Sequence, residues 1–145
     1  MQAISRQSEL FWLTMEREGF SPEPYKCSQG LWTIGFGHRV MGEGPGPNWL
    51  WTHEDAEEVL LGDLNRAAEQ ARELSVKQEV PWQYWRVLTL MCFQLGFTGT
   101  RGFRKMLDAM SDCDDMQVIA EMIDSRWAKQ TPQRVFDAIG FVIDL

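Results

Sequence analysis

Three side chains near the start of the chain have the types needed to hydrolyse a glycosidic bond. Glu18 is followed nine residues later by Cys27, and Thr33 lies six residues beyond Cys27. Glycoside hydrolysis needs a protonated carboxyl near the leaving oxygen and a second group that attacks the sugar or holds water on its other face. Glu18 is the candidate acid, and Cys27 and Thr33 are candidates for the second role. On spacing alone, a surface glutamate is more often solvated, and a hairpin cysteine is more often a small buried side chain.

The candidate acid is predicted to end a helix. Residues 8–18 have the pattern of a short helix that Gly19 closes. Pro22 and Pro24 then interrupt the pattern. Because the C-terminal end of a helix carries partial negative charge, it disfavours an ionised carboxylate and would help to keep Glu18 protonated.

A small β-hairpin is predicted for residues 25–38, which are rich in β-branched and aromatic side chains. Its turn is expected at residues 28–30, where Ser, Gln and Gly follow one another. A tight hairpin would bring Cys27 and Thr33 close together, facing the helix end that carries Glu18.

The remainder of the chain predicts helices. Thr52 and Asp55 have the spacing of a capping box, and apolar residues behind them recur at helical intervals, so a long amphipathic helix is expected at about 53–76. Shorter helices are predicted at about 82–95, 100–110, 115–127 and 132–143.

These elements together predict an α+β fold that is mostly α. We expect a single domain over residues 1–145, with a small hairpin lobe at about 19–52 and a helical lobe made of about 1–18 and 63–145. The long helix would join the two lobes, with a cleft between them, where ligands usually bind.

Composition argues against several classes of function. Fourteen basic against 21 acidic residues give a net charge of −7, which disfavours nucleic-acid binding. Three cysteines without CxxC spacing indicate neither a disulfide framework nor a zinc site, and we expect no metal and no cofactor. No apolar run approaches the roughly 20 residues of a membrane span. Charged residues are spread through residues 1–20, so no signal peptide and no stable membrane insertion are expected.

Three separated motifs resemble the T-even-type phage lysozymes, glycoside hydrolase family 24, and cover nearly the whole chain in order. The first resembles the active-site segment of that family, the second its stretch along the helical side of the cleft, and the third its C-terminal signature. They are Glu18-Gly19 with Pro24-Tyr25, Gly30 and Thr33-Ile34-Gly35-Phe36-Gly37-His38; Phe93-Gln94-Leu95-Gly96 with Thr98-Gly99 and Gly102-Phe103; and Ser125-Arg126-Trp127 with Gln130-Thr131-Pro132 and Arg134.

The resemblance implies hydrolysis of the β-1,4 bond between N-acetylmuramic acid and N-acetylglucosamine in the glycan strands of peptidoglycan. Carried over by position, Glu18 is the general acid, Thr33 helps to hold the attacking water, and Arg134 orients Glu18. His38 would pair with Asp63 on the long helix, as structural support.

The resemblance also implies that Phe93, Gln94 and Phe103 line the sugar groove. Taken alone, each of the two aromatic side chains is more often part of a core.

Cys27 departs from the family pattern, because many members have Asp at this position. A thiolate could serve as base or nucleophile if a cation lowered its pKa, and Lys26 is the only cation nearby in sequence. Alternatively, a neutral thiol could lie beside a water that Thr33 positions.

The connection from His38 to Thr52 is shorter than in the T-even enzymes, so we expect a reduced small lobe. Glu43 in this connection could be a substitute carboxylate or simply solvated, and residues 49–51 could cover the cleft or pack.

The leading hypothesis is a phage endolysin that acts in host-cell lysis. We expect a monomer made in the host cytoplasm, released with the help of a holin, and active on the cell wall, which lies in the periplasm of a Gram-negative host. A length of 145 residues without an appended domain favours this role over a tail-associated lysozyme. A catalytically impaired peptidoglycan-binding module and another polysaccharide hydrolase on the same fold are the remaining hypotheses.

Overall fold

The computed structural model describes residues 3–41 and 49–143. Within these ranges the chain is mostly helical with one small antiparallel sheet, so the α+β, mostly α fold class predicted from the sequence is confirmed. The elements are α1 (Glu9–Glu18), β1 (Ser21–Lys26), β2 (Trp32–Gly35), β3 (His38–Arg39), α2 (His53–Gln78), a 3-10 turn (Trp82–Tyr84), α3 (Trp85–Arg101), α4 (Arg104–Ser111), α5 (Asp115–Ile123), α6 (Arg126–Gln130) and α7 (Pro132–Val142).

The chain divides into two compact units, Met1–Asn65 and Arg66–Leu145, with the boundary inside α2. Residues 1–18, assigned to the helical lobe from the sequence, belong to the first unit together with the sheet. Glu43 and most of the connection that contains it lie outside the described residues.

Helix α1 ends, and helix α2 begins, where the capping residues predict. Gly19 closes α1 with a φ of 69°, and its N–H donates to the carbonyl of Met15 at 3.1 Å. Ahead of α2, the N–H of Thr52 donates to Asp55 Oδ2 at 3.0 Å, and the N–H of Asp55 donates to Thr52 Oγ1 at 3.1 Å. This reciprocal pair is the predicted capping box. α2 continues to Gln78, slightly beyond the predicted end.

The sheet has three strands in the order β1-β2-β3, so the prediction of a single hairpin missed β3. β3 is only two residues long, too short for an alternating pattern to show in the sequence. The first strand also begins at Ser21, earlier than the predicted start of the hairpin at residue 25, and it contains both Pro22 and Pro24. β1 is an edge strand whose pairing is irregular between Ser21 and Tyr25, and an edge tolerates a residue without an N–H.

The second unit has its own apolar core, formed by side chains from α2 to α7. Its largest fully buried members include Tyr84, Leu88, Met91, Met110 and Met122. The hydroxyl of Tyr84 donates to Asp115 Oδ1 at 2.5 Å, so this buried phenol has a polar partner.

Two helix boundaries in the second unit differ from the prediction. The helix expected to end near residue 95 does break there, at Gly96, where φ is 80°, but α3 resumes beyond the break and continues to Arg101. The helix expected at 115–127 is two helices, because Ser125 begins α6 as an N-cap whose Oγ accepts the N–H of Ala128 at 3.1 Å.

Candidate active site

The carboxyl of Glu18 lies directly over the backbone of Gly37, in the turn between β2 and β3. Glu18 is the last residue of α1 and is half-buried. A Cβ atom at Gly37 would stand 2.7 Å from Glu18 Cδ and 3.1 Å from Glu18 Cγ. The candidate acid therefore rests on the strand connection that follows Thr33.

That connection is held by aromatic side chains on both sides. Phe36 is buried, and its ring packs against Phe20 at 5.5 Å and edge-on against His53 at 5.0 Å between ring centroids. Trp51 packs against Gly35, where a Cβ would meet its ring at 2.9 Å. Close packing of this kind leaves a backbone segment little freedom to shift.

His38 and Asp63 form the pair that the family resemblance implied. His38 Nδ1, at the start of β3, lies 2.8 Å from Asp63 Oδ2 on α2, and both side chains are half-buried. Trp51 lies beside His38 with ring centroids 5.7 Å apart, and the backbone N–H of Trp51 donates to the carbonyl of Pro22 at 3.0 Å. Trp51 therefore packs as part of the scaffold, while Trp49 stacks on it at 6.1 Å and stays 38% exposed.

The thiol of Cys27 lies at a turn that points backbone donors at its sulfur. The N–H of Cys27 donates to the carbonyl of Leu31 at 2.9 Å, and the N–H of Gly30 donates to the carbonyl of Cys27 at 2.8 Å. Hydrogen bonds from the backbone of Gln29 and Leu31 lower the pKa of the thiol, against a smaller opposing effect of burial. Hydrogen bonds to the charged form of a group favour that form, so this turn stabilises a thiolate.

Thr33 and Arg39 add to the same effect. Thr33 is buried at 3% exposure, and its hydroxyl donates to the carbonyl of Leu31 at 3.1 Å. The Thr33 side chain beside the thiol also lowers the pKa of Cys27. Arg39 pairs with Thr33 across the sheet, and its positive charge acts in the same direction. The cation available to Cys27 is thus Arg39, which sequence reasoning missed. Lys26 instead lies over the ring of Trp32, 5.4 Å from its centroid.

Tyr25 is a second residue of the site that the sequence did not single out. Burial raises the pKa of its phenol, and the negative charges of Glu18 and Cys27 raise it further. Tyr25 also pairs with Thr33 across β1 and β2. The pKa of the Tyr25 phenol therefore depends on the charges of both Glu18 and Cys27.

Gln94 braces the second unit. The indole N–H of Trp127 donates to Gln94 Oε1 at 2.9 Å, and Gln94 Nε2 donates to Thr131 Oγ1 at 3.0 Å. Phe103 contacts Trp127 edge-on at 6.1 Å, and Phe93 is half-buried against the same core. Phe93, Gln94 and Phe103, the predicted groove residues, thus all contribute to the packing of the second unit. That they contact the sugar stays a prediction.

Phe103 also lines a pocket of about 360 Å³ in the second unit, where charged side chains of both signs surround it. Those side chains are Arg104, Lys105, Glu121 and Asp124. Arg134 lies near the start of α7, and its predicted approach to Glu18 stays a prediction.

Neither a metal centre nor a membrane span is found in the part of the chain that the structure describes. No group of three or more His, Cys, Asp or Glu side chains there could hold a metal ion. None of the described helices has the length and apolar character needed to cross a bilayer.

Residues 15–140 match the family model described as phage lysozyme. The chain belongs to the phage lysozyme family. It is also similar to the peptidoglycan hydrolase gp36 of Pseudomonas phage phiKMV, with 31% identity over 123 residues. That match covers 81% of this chain and 13% of the phiKMV protein, so the chain spans only a small part of the length of that relative. The family resemblance seen in the three motifs is thereby confirmed.

Proposed function

We propose that this chain is a muramidase that hydrolyses the β-1,4 bond between N-acetylmuramic acid and N-acetylglucosamine in peptidoglycan. The observation that carries the proposal is the placement of Glu18, Cys27 and Thr33 around one small sheet. Glu18 rests on the β2–β3 turn, and Thr33 lies beside the thiol of Cys27 at the β1–β2 turn. Family membership supports the same assignment.

In this mechanism Glu18 acts as the general acid. Its proton passes to the glycosidic oxygen as the bond from the anomeric carbon to that oxygen breaks, leaving an oxocarbenium-like centre. General acid assistance of this kind contributes about 10²–10⁴-fold to the rate. Arg134 is the proposed cation that orients Glu18.

Cys27 and Thr33 serve the opposite face of the sugar. The contacts of Cys27 with Gln29, Leu31 and Thr33 favour its thiolate, which supports a role as base over the role of a neutral neighbour. Thr33 holds a water whose oxygen bonds to the anomeric carbon, and the thiolate takes the released proton. Proton exchange with solvent then restores the acid and the thiolate.

Digestion of purified peptidoglycan with the wild-type chain, followed by mass analysis of the fragments, tests the proposal. A muramidase releases fragments with a reducing muramic acid end. Anhydro ends would instead identify a transglycosylase. Binding without any fragments would identify a peptidoglycan-binding module that has lost catalysis, and either result would overturn the proposal.

We propose further that the protein acts as a monomeric endolysin that reaches the wall after holin-dependent release. A tail-associated role is the second candidate, favoured by the match to a short part of a much longer phage peptidoglycan hydrolase. Mass spectrometry of purified virions separates the two roles. An endolysin is absent from the particle, and deletion of its gene delays host lysis; presence in the particle with normal lysis timing would establish the tail-associated role.

A further inference from the structure

Two glycines lie at the connection from β2 to β3, and at each of them a neighbouring side chain fills the space that a Cβ atom would take. Gly35 and Gly37 have φ values of 68° and 74°. A Cβ at Gly35 would collide with the ring of Trp51, and a Cβ at Gly37 would collide with the carboxyl end of Glu18. Each glycine therefore leaves a space that one neighbouring side chain fills.

The two collisions differ in how they could be relieved. Trp51 is a large ring that also stacks with Trp49 and packs beside His38, so it cannot easily move away from Gly35. The carboxyl of Glu18 is the end of a flexible side chain that can rotate. A side chain at Gly37 would therefore move the carboxyl of Glu18 before it moved the backbone.

The turn itself is anchored, because Phe36 between the two glycines is buried at 3% exposure against Phe20 and His53. A turn whose backbone is fixed in this way limits where the flexible carboxyl of Glu18 can lie. Reaction rates depend steeply on such placement, and a misplacement of about 1 Å costs on the order of 10²-fold.

We propose that Gly37 is a positioning residue for Glu18: the space left by its missing side chain is the seat that holds the carboxyl at the reacting bond. This rests on the proposed function, in which Glu18 is the general acid. Gly37 acts through Glu18 and is not assigned a contact with the sugar.

The central test compares Gly37→Ala with Gly96→Ala. Gly96 also has a positive φ, of 80°, but its Cβ position is open, so alanine there introduces backbone strain without a collision. Both variants should lose about 2–8 °C in Tm, the usual effect of a left-handed alanine. Only Gly37→Ala should lose on the order of 10²-fold in kcat, with KM changed less than threefold. Equal kcat losses in the two variants would overturn the proposal.

A double-mutant cycle with Glu18→Asp then asks whether Gly37 acts through the acid. The aspartate carboxyl is one methylene shorter and leaves room for a Cβ at Gly37. Adding Gly37→Ala to Glu18→Asp should therefore cost less than about tenfold in kcat, compared with on the order of 10²-fold in the native background. The same fold loss in both backgrounds would mean that Gly37 affects activity independently of Glu18, and the proposal would be wrong.

Tyr25 supplies a readout that needs no enzymatic activity. The chain has two tyrosines, Tyr25 and Tyr84, and the pKa of Tyr84 is raised further by burial, so tyrosinate absorbance first reports Tyr25. Because the charge of Glu18 raises the pKa of Tyr25, moving the carboxyl in Gly37→Ala should shift this titration, and Gly96→Ala should leave it unchanged.

An unshifted Tyr25 titration in Gly37→Ala would overturn the proposed seat, whatever the activity of the chain. Conversely, a shifted titration in a protein that releases no peptidoglycan fragments would leave the seat intact and refute the muramidase assignment. The two proposals can therefore fail separately.

Discussion

At pH 7, iodoacetamide should alkylate Cys27 far faster than Cys92. The thiolate is the nucleophile, and its sulfur displaces iodide to form a thioether. Burial raises the pKa of Cys92 to about 11, so about one molecule in 10⁴ is ionised there at pH 7. The pKa of Cys27 lies below the ordinary 9.0, which makes its thiolate fraction more than about 10²-fold larger.

Nucleophilicity falls as the pKa falls, which offsets roughly a factor of ten of this advantage. Cys27 should therefore still be alkylated more than about tenfold faster than Cys92. Cys92 is also buried at 3% exposure, which slows its alkylation further. A time course of alkylation, read by peptide mass spectrometry, measures both rates on one sample. The exposed Cys113 reports how fast a surface thiol reacts under the same conditions.

Arg39→Gln should slow the alkylation of Cys27, because the Arg39 charge lowers the pKa of that thiol. Lys26→Gln is the matched control, since Lys26 lies over the ring of Trp32 and is not among the groups that lower the pKa of the Cys27 thiol. Faster modification of Cys92 than Cys27, or slowing by Lys26→Gln alone, would refute the reasoning.

Three further predictions concern single side chains. Cys27→Asp should retain or raise the rate of peptidoglycan hydrolysis and Cys27→Ala should lower it; a fully active Ala variant would show that Cys27 has no chemical role. Asp63→Asn should cost about 1 kcal/mol in urea unfolding, because it weakens a half-buried, charge-assisted contact with His38, and an unchanged midpoint would contradict this. Thr14→Val should stabilise the fold by about 1 kcal/mol, since the buried Thr14 hydroxyl has no hydrogen-bond partner among the described residues. Thr89→Val is its control and should destabilise by about 0.5–1.5 kcal/mol through loss of a 2.7 Å hydrogen bond, so the same sign for both variants would contradict the account.

The position of the long helix could be predicted from the sequence because its capping residues and its buried apolar residues indicate the same segment. α2 begins after the Thr52–Asp55 capping box, and its buried residues include Leu60, Leu64 and Ala71, at the spacing that predicted the helix. The break of the 115–127 segment at Ser125 was missed, because a serine inside an apolar pattern does not reveal whether it caps a helix or faces solvent.

The chemistry of the site was only partly readable. Glu18, Cys27 and Thr33 lie within 16 residues of one another in sequence, so a motif can capture them. Arg39 acts on Cys27 through the register of a two-residue strand, which has no sequence signature. The role of Gly37 depends on a side chain from α1 packing over it, and a glycine in a turn pattern indicates only its permissive φ.

The most direct measurement of the central claim is the initial rate of reducing-end release from purified peptidoglycan by Glu18→Gln. The amide keeps the shape of the side chain, but its N–H groups are far too weakly acidic to protonate the leaving oxygen. We predict a loss of at least about 10²-fold relative to the native chain, with Tm unchanged within about 2–3 °C. A rate within a factor of about two of the native one, in a folded variant, would contradict the assignment of Glu18 as the acid.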